Sequence, residues 1–231
     1  MKKFKSFALM TLFVSTSLLT SCSSDSGSDD QGNEPSQGDY WPAAVGNQWV
    51  LNNGSDISMK IIGTEKIGQS TYYKFDKFLT PSSSDITGSA TAWLKKTGGD
   101  YYIKLDDIVT NSGGISSKIS GYEYTFFKDN LEVNGTWTGT YTQTTTIDIP
   151  GVPAIKMNVK YTGTILEKGA TAVVKNVTYK DVIKFKLKLE TSVEGKAAGT
   201  SEAEYWMSKD VGLVKFIFNK VASDLVSYKL N

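Results

Sequence analysis

The 231-residue chain has no histidine and no arginine. All 25 of its basic residues are lysine, and cysteine occurs once, at Cys22. Each absence removes a class of chemistry. Without histidine there is no Ser-His-Asp relay and no imidazole ligand for zinc. Without arginine no guanidinium fork can hold a phosphate by two bonds. One cysteine allows no internal disulfide, so a folded domain must be stabilised by its core. A formal charge of +1 gives no reason to expect a nucleic-acid partner. No Asp-x-Asp-x-Asp-Gly calcium loop is present, so no metal and no cofactor is expected. For catalysis a carboxylate pair remains possible, as in glycoside hydrolysis.

The N-terminus carries the most specific pattern. Lys2, Lys3 and Lys5 precede an apolar stretch over residues 7–19. That stretch is signal-peptide length and too short for a membrane span of roughly 20 residues. Leu19-Thr20-Ser21-Cys22 follows. Leu-x-x-Cys with small residues between resembles the lipobox of bacterial lipoproteins. The resemblance implies cleavage before Cys22, acylation of its thiol, and a membrane partner held through those acyl chains. Each buried methylene contributes about 0.8 kcal/mol, so two or three chains make a lasting anchor. Loss of residues 1–21 removes three lysines and takes the charge to −2, with 22 lysines against 24 acidic residues.

Residues 22–39 are rich in Ser, Gly and acidic residues, with nothing apolar to build a core, and read as a disordered tether. Its reach is roughly 20–25 Å. Ser23-Ser24-Asp25-Ser26-Gly27-Ser28-Asp29-Asp30 resembles the surface-export signal of Bacteroidota-type lipoproteins. An outer-membrane location is therefore expected, with the cell surface favoured over the periplasmic face.

Residues 40–231 read as one β domain. Tyr40-Trp41-Pro42 and Val45-Gly46-Asn47 place turn residues between aromatic anchors, with a strand starting at Gln48. Ile183, Phe185, Leu187 and Leu189 alternate with Lys184, Lys186, Lys188 and Glu190. That period of two is a strand with one wet face. Other strand-like runs are 57–62, 71–78, 90–94, 101–105, 122–127, 137–149, 155–166, 202–207, 213–218 and 225–230. Gly98-Gly99 turns one hairpin; Asp210-Val211-Gly212 and Ser223-Asp224 turn two more. Residues 111–121 read as a mobile loop, and a short helix fits only within 106–117. The total is about 11 to 13 antiparallel strands.

Three stretches, the opening aromatic-Pro and Val-Gly-Asn-x-Trp pattern, Val177-Thr178-Tyr179-Lys180-Asp181-Val182-Ile183, and residues 205–215, resemble small β-rich lipoproteins of the Bacteroidota type. The resemblance implies a curved antiparallel sheet or open half-barrel like that of lipoprotein carriers, with no established chemistry. A closed lipocalin-like barrel and a β-sandwich remain alternatives.

The chain is 12% aromatic. Trp137 and Tyr141 share a strand face with Gly139. With Trp93 and Trp206 they are the candidate ligand-binding residues, able to stack on sugar rings or line an apolar groove. The expected role is a non-catalytic binding module for a glycan, lipid or other apolar ligand. A structural or accessory lipoprotein that binds another envelope protein is the alternative. A carboxylate-only glycoside hydrolase is least favoured; Asp106-Asp107 and Glu202/Glu204 beside Trp206 are its only candidates.

Overall fold

The computed structural model describes residues 36–78 and 91–231. The segment 1–21, Cys22 and the tether as far as residue 35 lie outside the described residues, as does the first residue of the expected strand 90–94. Fourteen strands follow in order: β1 (Gln48–Asn52), β2 (Asp56–Ile67), β3 (Ser70–Phe75), β4 (Ala92–Thr97), β5 (Asp100–Leu105), β6 (Ile108–Ser112) and β7 (Ile115–Ile119), then β8 (Tyr122–Lys128), β9 (Thr136–Ile147), β10 (Ile155–Val174), β11 (Val177–Val193), β12 (Lys196–Ser208), β13 (Gly212–Phe218) and β14 (Val221–Lys229). All pair antiparallel, and no described residue is helical.

The strands form one open sheet in the order β6-β7-β9-β10-β11-β12-β13-β14-β1-β2-β3-β4-β5-β8. It does not close into a barrel, in keeping with the curved-sheet expectation. The strand count exceeds that expectation because residues 106–117 hold neither a helix nor a mobile loop. They form the β6–β7 hairpin, and β7 joins the sheet through β9. A backbone that can pair with a long neighbouring strand takes the extended form despite its serines and glycines. The turn expected at Ser223-Asp224 lies instead at Asn219-Lys220, where both residues have positive φ; Asn adopts that conformation readily. Ser223 and Asp224 sit inside β14, with Asp224 facing Lys215.

The sheet curls so that β8 faces β11 and β12 across an interior of rings. Phe127 stacks on Phe185 at 4.7 Å, and Phe126 meets Tyr205 edge-on at 4.8 Å. On β11, Ile183, Phe185 and Leu187 are buried, while the intervening lysines face outward. Trp41, which precedes the first strand, is fully buried among Trp49, Phe75 and Phe126. Such pairs contribute about 0.5–1.5 kcal/mol each beyond area burial.

The first described residues already contact this body. Ser36 Oγ and Tyr101 Oη donate to Asp129 at 2.5 and 3.0 Å, and the Tyr40 amide donates to Tyr101 Oη. Asp129 is fully buried. Desolvation raises its pKa, against the opposing hydrogen bonds from Ser36, Tyr101 and Gln37.

Candidate functional site

The site begins where the two halves of the curled sheet meet. The free edge of β8 comes against β9 and β10 without a backbone ladder. Side chains make the bonds instead. The Thr125 amide donates to Tyr161 Oη at 3.3 Å, and Trp137 Nε1 donates to the Thr125 carbonyl at 3.0 Å. Two glycines let these rings lie flat. Trp137 pairs with Gly163 across β9 and β10, and Tyr161 with Gly139. A Cβ on Gly163 would fall 2.1 Å from the Trp137 ring, and one on Gly139 would fall 2.2 Å from Tyr161 Oη. Each ring therefore covers the bare backbone of the strand beside it.

Beyond this seam stands a cluster of phenols. Tyr122 of β8 stacks on Tyr141 of β9 at 4.0 Å with an interplanar angle of 2°. Tyr124 and Tyr161 lie behind them, at 5.9 and 6.5 Å from Tyr141. Burial raises the pKa of Tyr122, Tyr124, Tyr141 and Tyr205, so these phenols stay neutral at physiological pH. Tyr122 and Tyr141 are half-buried, and present the outer rim of the stack.

Beside Tyr122 a cleft of about 600 Å³ opens where the chain leaves β5 for β6 and returns from β7 to β8. Its lining includes Lys104, Asp106, Asp107, Gly121 and Glu123. All three carboxylates already have partners. Asp106 accepts from Trp93 Nε1 at 2.7 Å and from Lys104. Asp107 accepts from the Gly121 amide at 2.7 Å and pairs with Lys118 at 2.6 Å. Glu123 accepts from Tyr72 Oη at 2.8 Å and from Lys95. The Lys118 hydrogen bond, aided by the Gly121 amide, holds the Asp107 pKa below its usual value.

The structure brings together only two of the four aromatic candidates. Trp137 and Tyr141 share the inner face of β9, as expected from their spacing, and Trp137 is buried. Trp93 and Trp206 lie on the outer face of separate strands. Each stands in a row across three strands, between two lysines. Lys74 and Lys104 lie 5.4 and 5.7 Å from the Trp93 ring. Lys184 and Lys215 lie 4.2 and 4.9 Å from that of Trp206. The Trp206 indole also donates to Glu204 at 2.6 Å. Trp93 is itself buried beneath its lysines; each cation–π contact contributes about 0.5–2 kcal/mol, more as it is desolvated, and the lysines compete for the faces a sugar would need. Trp93 still reaches the cleft through Asp106.

Sequence reasoning did not single out Tyr161 or Lys104. The available signal was the pair of strand glycines, Gly139 and Gly163, each opposite a large ring. A second cleft, about 660 Å³, lies between the N-terminal segment and the turn after β2, near Gln69, Tyr73 and Lys96. It is the larger of the two, but among the described residues its ring, Tyr73, stacks on no other, unlike Tyr122. Tyr73 packs against the core, and Lys96 is engaged by Asp39 at 2.5 Å and by the Trp41 carbonyl. Among the described residues no group of acidic side chains is arranged to hold a metal ion.

No protein-family model matches the chain, and no curated protein does. Among solved structures, the chain is similar to that of a protein assigned as a lipoprotein from Parabacteroides distasonis, with 16% identity and a TM-score of 0.47 over 82% of this chain and 98% of that one.

Proposed function

We propose that the protein is a lipid-anchored envelope lipoprotein whose β domain is a non-catalytic binding module for a glycan. Acyl chains on Cys22 hold it in the outer membrane, and the acidic tether displays the domain at the cell surface. The observation that carries the binding reading is the cleft beside the Tyr122–Tyr141 stack. A ring at its wall and carboxylates and a lysine around it suit a hydroxylated ligand: the ring stacks on a sugar face and the charged groups take its hydroxyls. A surface ligand also fits an interior occupied by Phe126, Phe127, Phe185 and Tyr205, which leaves little room for an acyl chain. A binding role fits the carboxylates better than catalysis. Asp107, whose pKa the Lys118 hydrogen bond and the Gly121 amide lower, is not held as the protonated acid that a glycosidase needs.

The test is a thermal-shift screen of the unacylated chain beginning at residue 23 against glycan and lipid libraries. A ligand at 100 times its Kd adds about 2.7 kcal/mol of stability, and Tyr122→Ala abolishes that gain. Shifts from lipids alone would overturn the glycan assignment. No shift from either library would favour the accessory reading. That second reading has its own observation: Ile149, Val152 and Ile155 are exposed around the β9–β10 turn, with Ile115 exposed at the start of β7. The anchor is tested separately, since Cys22→Ser releases the protein from the membrane fraction.

A further inference from the structure

An open sheet has two edges, and here they differ. On the β8 edge, the N–H and C=O of Thr125 are met by Tyr161 and Trp137. The other edge is β6, the last strand in the order. It reads Ile108-Val109-Thr110-Asn111-Ser112, without the proline, lysine or bulge that usually guards an edge. Val109 is 58% exposed, and the next three residues are exposed as well.

The register says which backbone groups are free. β6 and β7 are joined by Gly113-Gly114, both at positive φ (58° and 81°), a type I′ turn. In such a hairpin the residues flanking the turn exchange both hydrogen bonds, and the pattern repeats at every second pair. Ser112, Thr110 and Ile108 therefore bond to Ile115, Ser117 and Ile119. The N–H and C=O of Val109 and Asn111 point away from β7, where no described strand pairs with them.

We infer that this edge is a self-association site: β6 of a second copy adds to it antiparallel, about a two-fold axis at Thr110. The register is self-complementary. Val109 of each copy opposes Asn111 of the other, and their free groups form four backbone hydrogen bonds. Thr110 opposes its own counterpart, a favourable cross-strand pair. No charge meets a like charge, because Asp107 falls opposite Gly113. The ladder is short and buries much less than the roughly 1,200–2,000 Å² of a stable interface. The association is therefore weak in solution and strengthened wherever copies are crowded. It does not depend on the identity of the ligand.

The geometry supplies its own test. In this register the two Thr110 Cα atoms form a non-hydrogen-bonded pair about 4.5 Å apart, within the roughly 4.4–6.8 Å that a disulfide spans. The two Ser112 Cα atoms are offset by four residues, roughly 13 Å, and cannot be bridged. The chain from residue 23 onward lacks Cys22 and keeps every strand and contact described above, so an introduced thiol is its only one. Under mild oxidation Thr110→Cys is expected to form a covalent dimer at least about tenfold faster than Ser112→Cys. Adding Asn111→Pro removes an outward N–H without touching the bonds to β7, and returns the Thr110→Cys rate to that of the control. Equal rates for the two cysteine variants, or a rate untouched by Asn111→Pro with circular dichroism unchanged, would overturn the inference.

Discussion

At the β8 end of the sheet, the N–H and C=O of Thr125 are met by the phenol of Tyr161 and the indole of Trp137, both lying across glycines. At the β6 end, the corresponding groups of Val109 and Asn111 face outward. A sheet that curls on itself can finish an edge with side chains when large rings and glycines alternate on the strands it meets. The β6–β7 hairpin extends from β9 instead, with no such face opposite it among the described residues. The β8 edge is thus fixed by core packing, and substitutions there report on stability. Substitutions at the β6 edge report on association.

The largest effect is expected at Trp137. Trp137→Ala removes a buried indole and strands the Thr125 carbonyl, a loss of about 3–5 kcal/mol by urea unfolding. Gly163→Ala forces a methyl into the same ring and costs about 1–3 kcal/mol in the native chain. In the Trp137→Ala background that second cost largely disappears, because the two sites are in contact. Additive losses would mean that the ring does not lie on Gly163.

Next come the phenols. Tyr161→Phe removes the acceptor of the Thr125 amide and costs about 1–2 kcal/mol by the same measurement. Tyr205→Phe is the internal control. Its hydroxyl is buried with no hydrogen-bond partner among the described residues, so the variant is expected to be neutral, or more stable by up to about 1 kcal/mol. A larger loss at Tyr205 than at Tyr161 would reverse the assignment of which phenol closes the edge.

How much of this was legible beforehand follows from the range of each interaction. The alternation in β11 and the Gly98-Gly99 turn depend on neighbours in sequence, and both were readable. So was the shared face of Trp137 and Tyr141. The β6–β7 hairpin was not, since its strand character comes from β9, about thirty residues further on. Nor could the sequence show that Trp93 and Trp206 lie apart, because that depends on the strand order, with β13, β14, β1, β2 and β3 between their strands. The cleft was half-visible. Asp106-Asp107 stood out as adjacent carboxylates, but their partners Trp93, Lys104, Gly121 and Lys118 come from strand pairing and from the return of the chain to β8.

Substitution at the β6 edge itself is expected to move stability by no more than about 0.5 kcal/mol. Val109→Lys tests this by urea unfolding at low protein concentration. A loss above about 1 kcal/mol would show that Val109 packs within its own subunit and that the edge is not bare.

The smallest effects are those of pH, and they take opposite signs at the two ends. Asp129, just after β8, has a raised pKa because it is buried. The folded state binds its proton more tightly than the unfolded chain does. Its contribution is therefore fully present below the unfolded value near 3.8 and is lost as pH rises through the raised folded value. Asp107, just before β6, has a lowered pKa because Lys118 and the Gly121 amide favour its charge. Its contribution is present above the unfolded value near 3.8 and is lost as pH falls through the lowered folded value. Carboxyl titration by NMR separates them. Lys118→Met is expected to move the Asp107 midpoint up toward its unfolded value and leave that of Asp129 unchanged. Asp129→Asn removes the fall in stability on the alkaline side of pH 4 without affecting Asp107. If Lys118→Met shifted both midpoints, the two ends would be electrostatically coupled, and the β6 hairpin would not be free to respond on its own.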